Sequence, residues 1–192
     1  ATFCDKILKN EELHINDNNV NLLYVENLCS QIYDVIKGDK YNISYDQTVS
    51  VKYVYDTLLR FKQEYLSENK IPKYENEFEL NLFNTFRSYL DKDNRLLNVD
   101  NYNDDRGRLS ELIISKNQGQ IFFSTTKPGI IRGNHFHTRR IERFCVLEGE
   151  ASVKMRKIGT DEIIDYKIKG TDNKIIDMPV YYTHNLKNVG DT

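Results

Sequence analysis

Cysteine is scarce in this 192-residue chain. The three cysteines (Cys4, Cys29 and Cys145) are odd in number, far apart and outside any C-x-x-C spacing. This pattern argues against a disulfide framework and fits a reducing cytoplasm. Each cysteine is therefore interpreted as a small apolar residue of the core rather than as a nucleophile.

Long apolar runs and an excess of one charge are also missing. No apolar stretch approaches the roughly 20 residues of a membrane-spanning helix, and residues 1–25 lack the apolar run and cleavage site of a signal peptide. The 27 basic and 29 acidic residues nearly cancel, for a net charge of −2. We therefore expect a cytoplasmic protein that neither inserts into a membrane nor binds nucleic acid.

Residues 1 to about 92 have mostly helical patterning. A short apolar run predicts a strand over 19–25, and apolar residues at helical spacing predict helices over 26–38, 51–66 and 77–90. The first of these helices carries a stripe on one face, formed by Leu28, Ile32, Val35 and Ile36. Gly38 is expected to end it, and Ser50 or Thr48 to cap the start of the next.

The period of the pattern changes in the second half. Residues 91–108 are polar and rich in Asn and Asp, which predicts a linker. From Leu109 onward, apolar residues alternate with polar ones in eight short runs separated by Gly and Pro turn signals. The runs are LSELIIS, GQIFFSTT, RGNHFH, ERFCVLEG, EASVKMRKI, DEIIDYKI, NKIIDMP and THNLKN. Short strands at this spacing predict an antiparallel sandwich or a small barrel.

Two of the four histidines of the chain lie in the stretch GNHFHTRRIE, residues 133–142. In a strand, His135 and His137 would project from the same face. A hairpin would then bring Glu142, at the start of the next strand, back beside them. Two imidazoles and a carboxylate form one side of a divalent metal site. A fourth ligand would have to come from elsewhere, and the other histidines are His14 and His184.

The spacing of these residues resembles the two motifs of the cupin family. The first, G-x5-H-x-H-x4-E-x6-G, is matched by Gly129, His135, His137, Glu142 and Gly149. The second, G-x5-P-x-G-x2-H-x3-N, is matched at Pro179, His184 and Asn188. The resemblance implies a metal held by His135, His137, Glu142 and His184, with His14 outside the site. Zinc is the first expectation; iron, nickel and manganese stay open.

The second motif departs from the family pattern at two positions. Tyr181 stands where a glycine is expected, and Asn173 stands at the leading glycine. Glycine adopts a positive φ at no steric cost, asparagine tolerates it, and tyrosine does so poorly. The conformation of this turn is therefore open, although neither departure removes a ligand.

A narrower resemblance extends over nearly the whole chain. The stretches DDRGRLSELIISKNQGQIFFSTTKPGIIRGNHFH and MPVYYTHNLKNVGDT are similar to the C-terminal cupin domain of the CapF-type enzymes of capsular polysaccharide synthesis. ATFCDKI, NLLYVENLCSQI and LFNTFRSYL are similar to the end of their short-chain dehydrogenase/reductase domain. The resemblance implies an α+β chain: a helical C-terminal lobe of a reductase-like domain over 1–98, then a jelly-roll (double-stranded β-helix) cupin domain over 99–192. Both domains are expected to be cut.

The resemblance also implies a reaction. The cupin domain would epimerise C3 of a UDP-linked 2-acetamido-2,6-dideoxy-4-keto-hexose, towards UDP-N-acetyl-L-fucosamine. The reductase half would use NADPH, but this chain lacks the glycine-rich turn of its binding lobe. Tyr181 or Tyr182 is the candidate acid or base, Arg132 or Lys154 the candidate substrate anchor, and a homodimer is expected. Two alternatives stay open: another metal-cupin enzyme, such as an iron dioxygenase, and a non-catalytic metal- or sugar-binding or assembly module.

Overall fold

A computed structural model describes residues 2–16, 18–116 and 119–191 of the chain. It combines helices with several antiparallel sheets, so the mixed α and β content predicted from the sequence is confirmed. The chain divides into two compact units. The helical unit comprises Ala1–Val99 and Leu112–Ile121, and the β unit comprises Asp100–Glu111 and Phe122–Thr192. Among the described residues, no helix is both long and apolar enough to cross a membrane.

The described residues of 1–99 form four α-helices, a π-helical segment and a two-stranded sheet. In chain order these are α1 (Thr2–Leu8), β1 (Asn19–Leu22), α2 (Val25–Lys37), β2 (Gln47–Ser50), α3 (Val51–Phe61), the π-helical segment Lys62–Ser67 and α4 (Glu77–Ser88). β1 and β2 pair antiparallel. Leu58, Phe61 and Phe86 are fully buried at the centre of this unit's core.

The helix ends follow from local sequence chemistry. Ser50 Oγ accepts a hydrogen bond from the Tyr53 backbone N–H at 3.1 Å and caps α3. Gly38, at φ 83°, ends α2 in the left-handed conformation that glycine adopts without strain. The three helices predicted for this half, and both of these end signals, are therefore confirmed, with boundaries shifted by a few residues.

Three of the four residues in the apolar stripe predicted for α2 are exposed, and the fourth, Leu28, is half-buried. Ile32, Val35 and Ile36 are 40%, 37% and 76% exposed. The one buried residue of α2 is Gln31, whose side-chain amide makes two hydrogen bonds to the Ser44 backbone, at 2.9 and 2.8 Å. The sequence pattern thus identified an amphipathic helix correctly, but it did not identify the face that this unit buries.

The β unit contains the strands predicted from the alternating half of the sequence. They are β4 (Gly107–Ser115), β5 (Gly119–Ser124), β6 (Ile131–His135), β7 (Glu142–Cys145), β8 (Glu150–Lys157), β9 (Ile163–Lys169), β10 (Ile175–Met178) and β11 (Tyr182–Asn188), with the Leu112–Ile121 end of β4–β5 counted in the helical unit. The predicted linker over 91–108 is partly wrong, because Asn101–Asp104 forms a strand, β3, that pairs with β4. All four residues of β3 are exposed, so no apolar alternation marked it.

Two sheets of the β unit enclose its core. The four-stranded sheet has the order β6–β11–β8–β9, and the two-stranded sheet pairs β10 with β7. Buried residues from both sheets form one apolar cluster: Ala151, Val153, Met155 and Ile168 from the first, Ile176 and Met178 from the second. The two sheets therefore pack face to face as an antiparallel sandwich.

Candidate metal centre

Four side chains that the sequence motifs singled out lie together between the two sheets of the β unit. His135 is the last residue of β6, Glu142 the first of β7, and His184 lies within β11. His137 follows β6 in the chain. One ligand atom from each of the four lies within 4.8 Å of the others. The four residues are brought together from different sheets, so the cluster depends on the packing of the sandwich.

The structure assembles this group by a different route from the one the sequence suggested. β6 ends at His135, so His137 lies in the following loop rather than in the strand. The predicted hairpin between β6 and β7 is wrong: β7 pairs with β10, in the opposite sheet. The loop is fixed instead by its backbone, because the Tyr181 N–H donates to the His137 carbonyl at 2.9 Å.

The orientation of the His184 ring follows from its surroundings. The residue is 1% exposed, and its Nδ1 lies 3.1 Å from the Tyr182 carbonyl oxygen. A carbonyl can only accept, so Nδ1 carries a proton, and Nε2 is the ring nitrogen that faces Glu142. This orientation of imidazole by a backbone carbonyl is the arrangement that metal-binding histidines commonly have.

The contact between His184 and Glu142 fits a bound cation. Nε2 of His184 lies 2.9 Å from Glu142 Oε2, yet this buried nitrogen has no hydrogen-bond partner among the described residues. A lone pair and a carboxylate oxygen at this distance repel each other unless a cation or a proton lies between them. The same Oε2 lies 3.1 Å from His137 Nε2. The carboxylate therefore faces two imidazoles at once.

The three imidazoles are close together, and the surroundings of His135 favour its neutral form. Ring centroids of His135 lie 4.9 Å from those of His137 and 4.8 Å from those of His184. Burial lowers the pKa of His135, and the neighbouring His184 lowers it further. Neutral imidazole is the form that binds a metal. Three such rings and one carboxylate make a donor set suited to zinc and to other first-row divalent ions.

The other residues proposed from the sequence lie at different distances from this cluster. Tyr182 is partly buried against the β-unit core, and its carbonyl orients His184. The Arg132 guanidinium contacts the Thr125 carbonyl at 3.2 Å and lies 3.7 Å from Asp104. Lys154 is paired with Asn185, on the side of the sheet opposite to His184. His14 is exposed in the helical unit, outside the cluster.

Both departures from the second motif keep the backbone that glycine would adopt. Tyr181 has φ 63° and Asn173 has φ 52°. The turn at Tyr181 is held by two backbone hydrogen bonds, its N–H to the His137 carbonyl and its carbonyl from the Ile158 N–H. The surrounding structure therefore imposes a strained conformation on a residue that disfavours it.

Replacing Tyr181 with glycine should relieve this strain. The left-handed conformation costs an L-residue about 1–2 kcal/mol, part of which is offset by the greater freedom of glycine in the unfolded chain. We expect a net gain of about 1 kcal/mol and a rise in Tm of about 2–4 °C. Tyr181→Ala, which keeps the strain, is the control. Equal melting temperatures for the glycine and alanine variants would show that the turn is not strained.

A β-sandwich with three histidines and a carboxylate clustered between its sheets defines a class of candidate metal-binding domain. Within this class, residues 102–192 match the family described as "Polysaccharide biosynthesis C-terminal domain". This match covers the whole of the candidate metal centre.

Two structures of one similar protein and the sequence of another extend the likeness over the rest of the chain. The crystal structure of the capsular polysaccharide assembling protein CapF from Staphylococcus aureus is 35% identical with a TM-score of 0.87, covering 100% of this chain and 54% of that one. A structure of CapF with the inhibitor 3-isopropenyl-tropolone gives the same identity and TM-score, covering 100% and 57%. UDP-2-acetamido-2,6-beta-L-arabino-hexul-4-ose reductase of Pseudomonas aeruginosa is 27% identical over 197 residues, which is 99% of this chain and 53% of that protein.

The resemblance to CapF-type proteins that the sequence predicted is therefore confirmed along the whole chain. The chain spans about half the length of these relatives.

Proposed function

We propose that the β unit is a metal-dependent cupin epimerase of nucleotide-sugar metabolism. It would act at C3 of a UDP-linked 2-acetamido-2,6-dideoxy-4-keto-hexose, in the capsular polysaccharide route to UDP-N-acetyl-L-fucosamine. The observation that carries the proposal is the contact of His184 Nε2 and Glu142 Oε2 at 2.9 Å, within a cluster of four ligand residues. The likeness to CapF and to a reductase of UDP-linked 4-keto sugars supports this substrate class.

The chemistry of the reaction suits such a centre. A C–H beside a ketone is weakly acidic, and its removal builds negative charge on the ketone oxygen. A divalent ion, zinc in the first instance, would act as a Lewis acid towards that oxygen when bound. His135, His137, Glu142 and His184 would hold the ion. The sandwich keeps His184 away from water, which strengthens electrostatic interactions there.

The protein's own contribution to the reaction is proton transfer and substrate positioning. Epimerisation needs a base on one face of the carbon and an acid on the other. Tyr181 and Tyr182 are the proposed acid and base, because they lie three and two residues before His184 and the Tyr181 backbone contacts His137. Arg132 is the proposed substrate anchor; Lys154 is not, because its side chain lies on the face of the sheet opposite to His184. Arg132 would have to exchange its present contacts with Thr125 and Asp104 for the diphosphate.

The helical unit takes a supporting role in this proposal. Residues 1–98 would be the C-terminal lobe of a reductase-like domain, and residues 99–192 the cupin domain. A further lobe of the longer relatives would bind NADPH and reduce C4. The half of those relatives that this chain does not match is long enough to contain such a lobe. The active assembly would be a homodimer in the cytoplasm.

Isotope exchange tests the proposed reaction. The zinc-loaded chain should catalyse the incorporation of deuterium at C3 of the UDP-linked 4-keto sugar in D2O, followed by NMR or mass spectrometry. His184→Gln, which loses a proposed ligand, should show no incorporation above background. A folded, zinc-loaded chain without exchange would favour the non-catalytic binding module, and bound iron with oxygen uptake would favour the dioxygenase.

A further inference from the structure

The pairing of β6 with β11 contains an irregularity beside the candidate metal centre. Asn185 lies opposite Gly133, but the next residue of β11, His184, lies opposite His135. Asn134 is therefore an extra residue on β6, and the two strands are joined through a β-bulge.

This bulge decides on which face of the sheet His135 lies. In a regular ladder, His184 would face Asn134, and His135 would face Thr183. Directly opposite residues share a face and successive residues alternate, so His135 would then lie on the face away from His184. The extra residue removes this mismatch, and the two imidazole centroids lie 4.8 Å apart. The cluster therefore needs the bulge.

Two features hold the bulge in place. Gly133 has φ 101°, and a Cβ there would lie 2.9 Å from the His184 carbonyl oxygen, so the strands approach too closely for a side chain. Asn134 has φ 67°, a conformation that asparagine tolerates better than most residues. Its Oδ1 accepts a hydrogen bond of 2.8 Å from Asn185 Nδ2. The extra residue is thus tied by its side chain to the partner strand.

We propose that Asn134 and Asn185 are positioning residues for the metal centre. Their hydrogen bond fixes the bulge that sets His135 beside His184, and neither asparagine is a ligand. Asn185 is the neighbour of His184 on β11, so its side chain lies on the other face of the sheet. This inference rests on the proposed metal centre. Outer residues that orient metal ligands typically change affinity by about 10–100-fold when they are replaced.

Cobalt binding to the full chain provides the test, since Co²⁺ reports its coordination through its visible absorption. Asn185→Ala and Asn134→Gly each remove the hydrogen bond, and the glycine variant retains the positive φ. Each should weaken Co²⁺ binding about tenfold and alter the spectrum. The double variant should be no weaker than either single one, because both changes break the same interaction. Asn134→Asp, which keeps the acceptor, should retain the wild-type spectrum.

Lys187→Ala is the matched control, on the same strand and the same face as Asn185. If Asn185→Ala and Asn134→Gly equal this control in Co²⁺ affinity and spectrum, the positioning role is wrong and the metal centre stands. The proposal would also be overturned if the metal-free variants have a lower Tm but an unchanged affinity for Co²⁺, because Asn134 and Asn185 would then only stabilise the fold. A double variant whose Co²⁺ affinity is about a hundredfold weaker would overturn it too, because the two asparagines would then act independently. If the wild-type chain binds no Co²⁺, the metal centre itself fails, and the inference with it.

Discussion

His184→Gln should weaken the binding of zinc at the β unit severely. The substitution removes an imidazole that the Tyr182 carbonyl orients. Replacing residues that only orient metal ligands lowers metal affinity by about 10–100-fold, so we expect zinc affinity to fall by more than this. At a free zinc concentration of about 1,000 times Kd, binding stabilises the folded chain by about 4 kcal/mol. The variant should therefore lose a zinc-dependent rise in Tm of about 8 °C or more.

The fourth histidine of the chain supplies the control for this prediction. His14 lies in the helical unit, so the His14→Gln variant should bind zinc like the wild type. His137→Gln provides a second test. The His137 side chain is 24% exposed, so replacing it disturbs the core less than replacing the buried His184. Zinc titration followed by calorimetry, with thermal unfolding at each zinc concentration, measures both effects. Equal zinc affinity in all three variants would contradict the assignment of the ligands.

Glu79→Ala should destabilise the helical unit strongly. This carboxylate is 3% exposed. It accepts hydrogen bonds from the Tyr53 hydroxyl and Arg60, both at 2.8 Å, and from the Glu75 backbone N–H at 3.0 Å. Arg60 is 33% exposed and keeps contact with water, so the loss of this charged acceptor should cost about 1.5–3 kcal/mol. Denaturant unfolding, with a probe in the helical unit, measures this loss.

Glu75→Ala is a matched control for Glu79→Ala. The Glu75 side chain is 59% exposed and pairs with Lys73 on the surface, so its loss should cost at most about 1 kcal/mol. Its backbone N–H, which Glu79 uses, is kept. Similar destabilisation by the two variants would show that the buried network contributes little.

The same carboxylate predicts a dependence of stability on pH. Burial alone would raise the pKa of Glu79, but hydrogen bonds from the Glu75 N–H and the Tyr53 hydroxyl, with the charge of Arg60, hold it below its ordinary value. The folded state thus favours the ionised form, whose stabilisation is complete above the ordinary range of about 4.3 and is lost as the pH falls through the folded pKa. The difference in stability between wild type and Glu79→Ala should therefore shrink below about pH 4.

The sequence predicted which four side chains would lie together, because motif spacing depends only on the order of residues along the chain. His135, His137, Glu142 and His184 lie together as the motif implied. The sequence did not show which strands bring these four residues together. Period-two alternation does not show which strands pair, and an extra residue such as Asn134 reverses the expected face of everything after it.

In the helical half, the sequence predicted the positions of the helices better than it predicted which residues are buried. Helical spacing located α2, yet three of the four residues in its apolar stripe are exposed, and its buried residue is the polar Gln31. An amphipathic pattern indicates that a face favours burial, but not which surface covers it. The buried carboxylate Glu79 carried no sequence signal either, since its partner Arg60 lies 19 residues away in the chain.

X-ray absorption at the zinc edge of the zinc-loaded chain tests the central claim most directly. We expect one zinc ion per chain with nitrogen and oxygen neighbours only, at about 2.0–2.2 Å, and the outer-sphere scattering of three imidazoles. His184→Gln, at matched zinc loading, should lose one imidazole from this signal. A sulfur shell at about 2.3 Å, or a spectrum unchanged by the substitution, would place the zinc elsewhere and contradict the account.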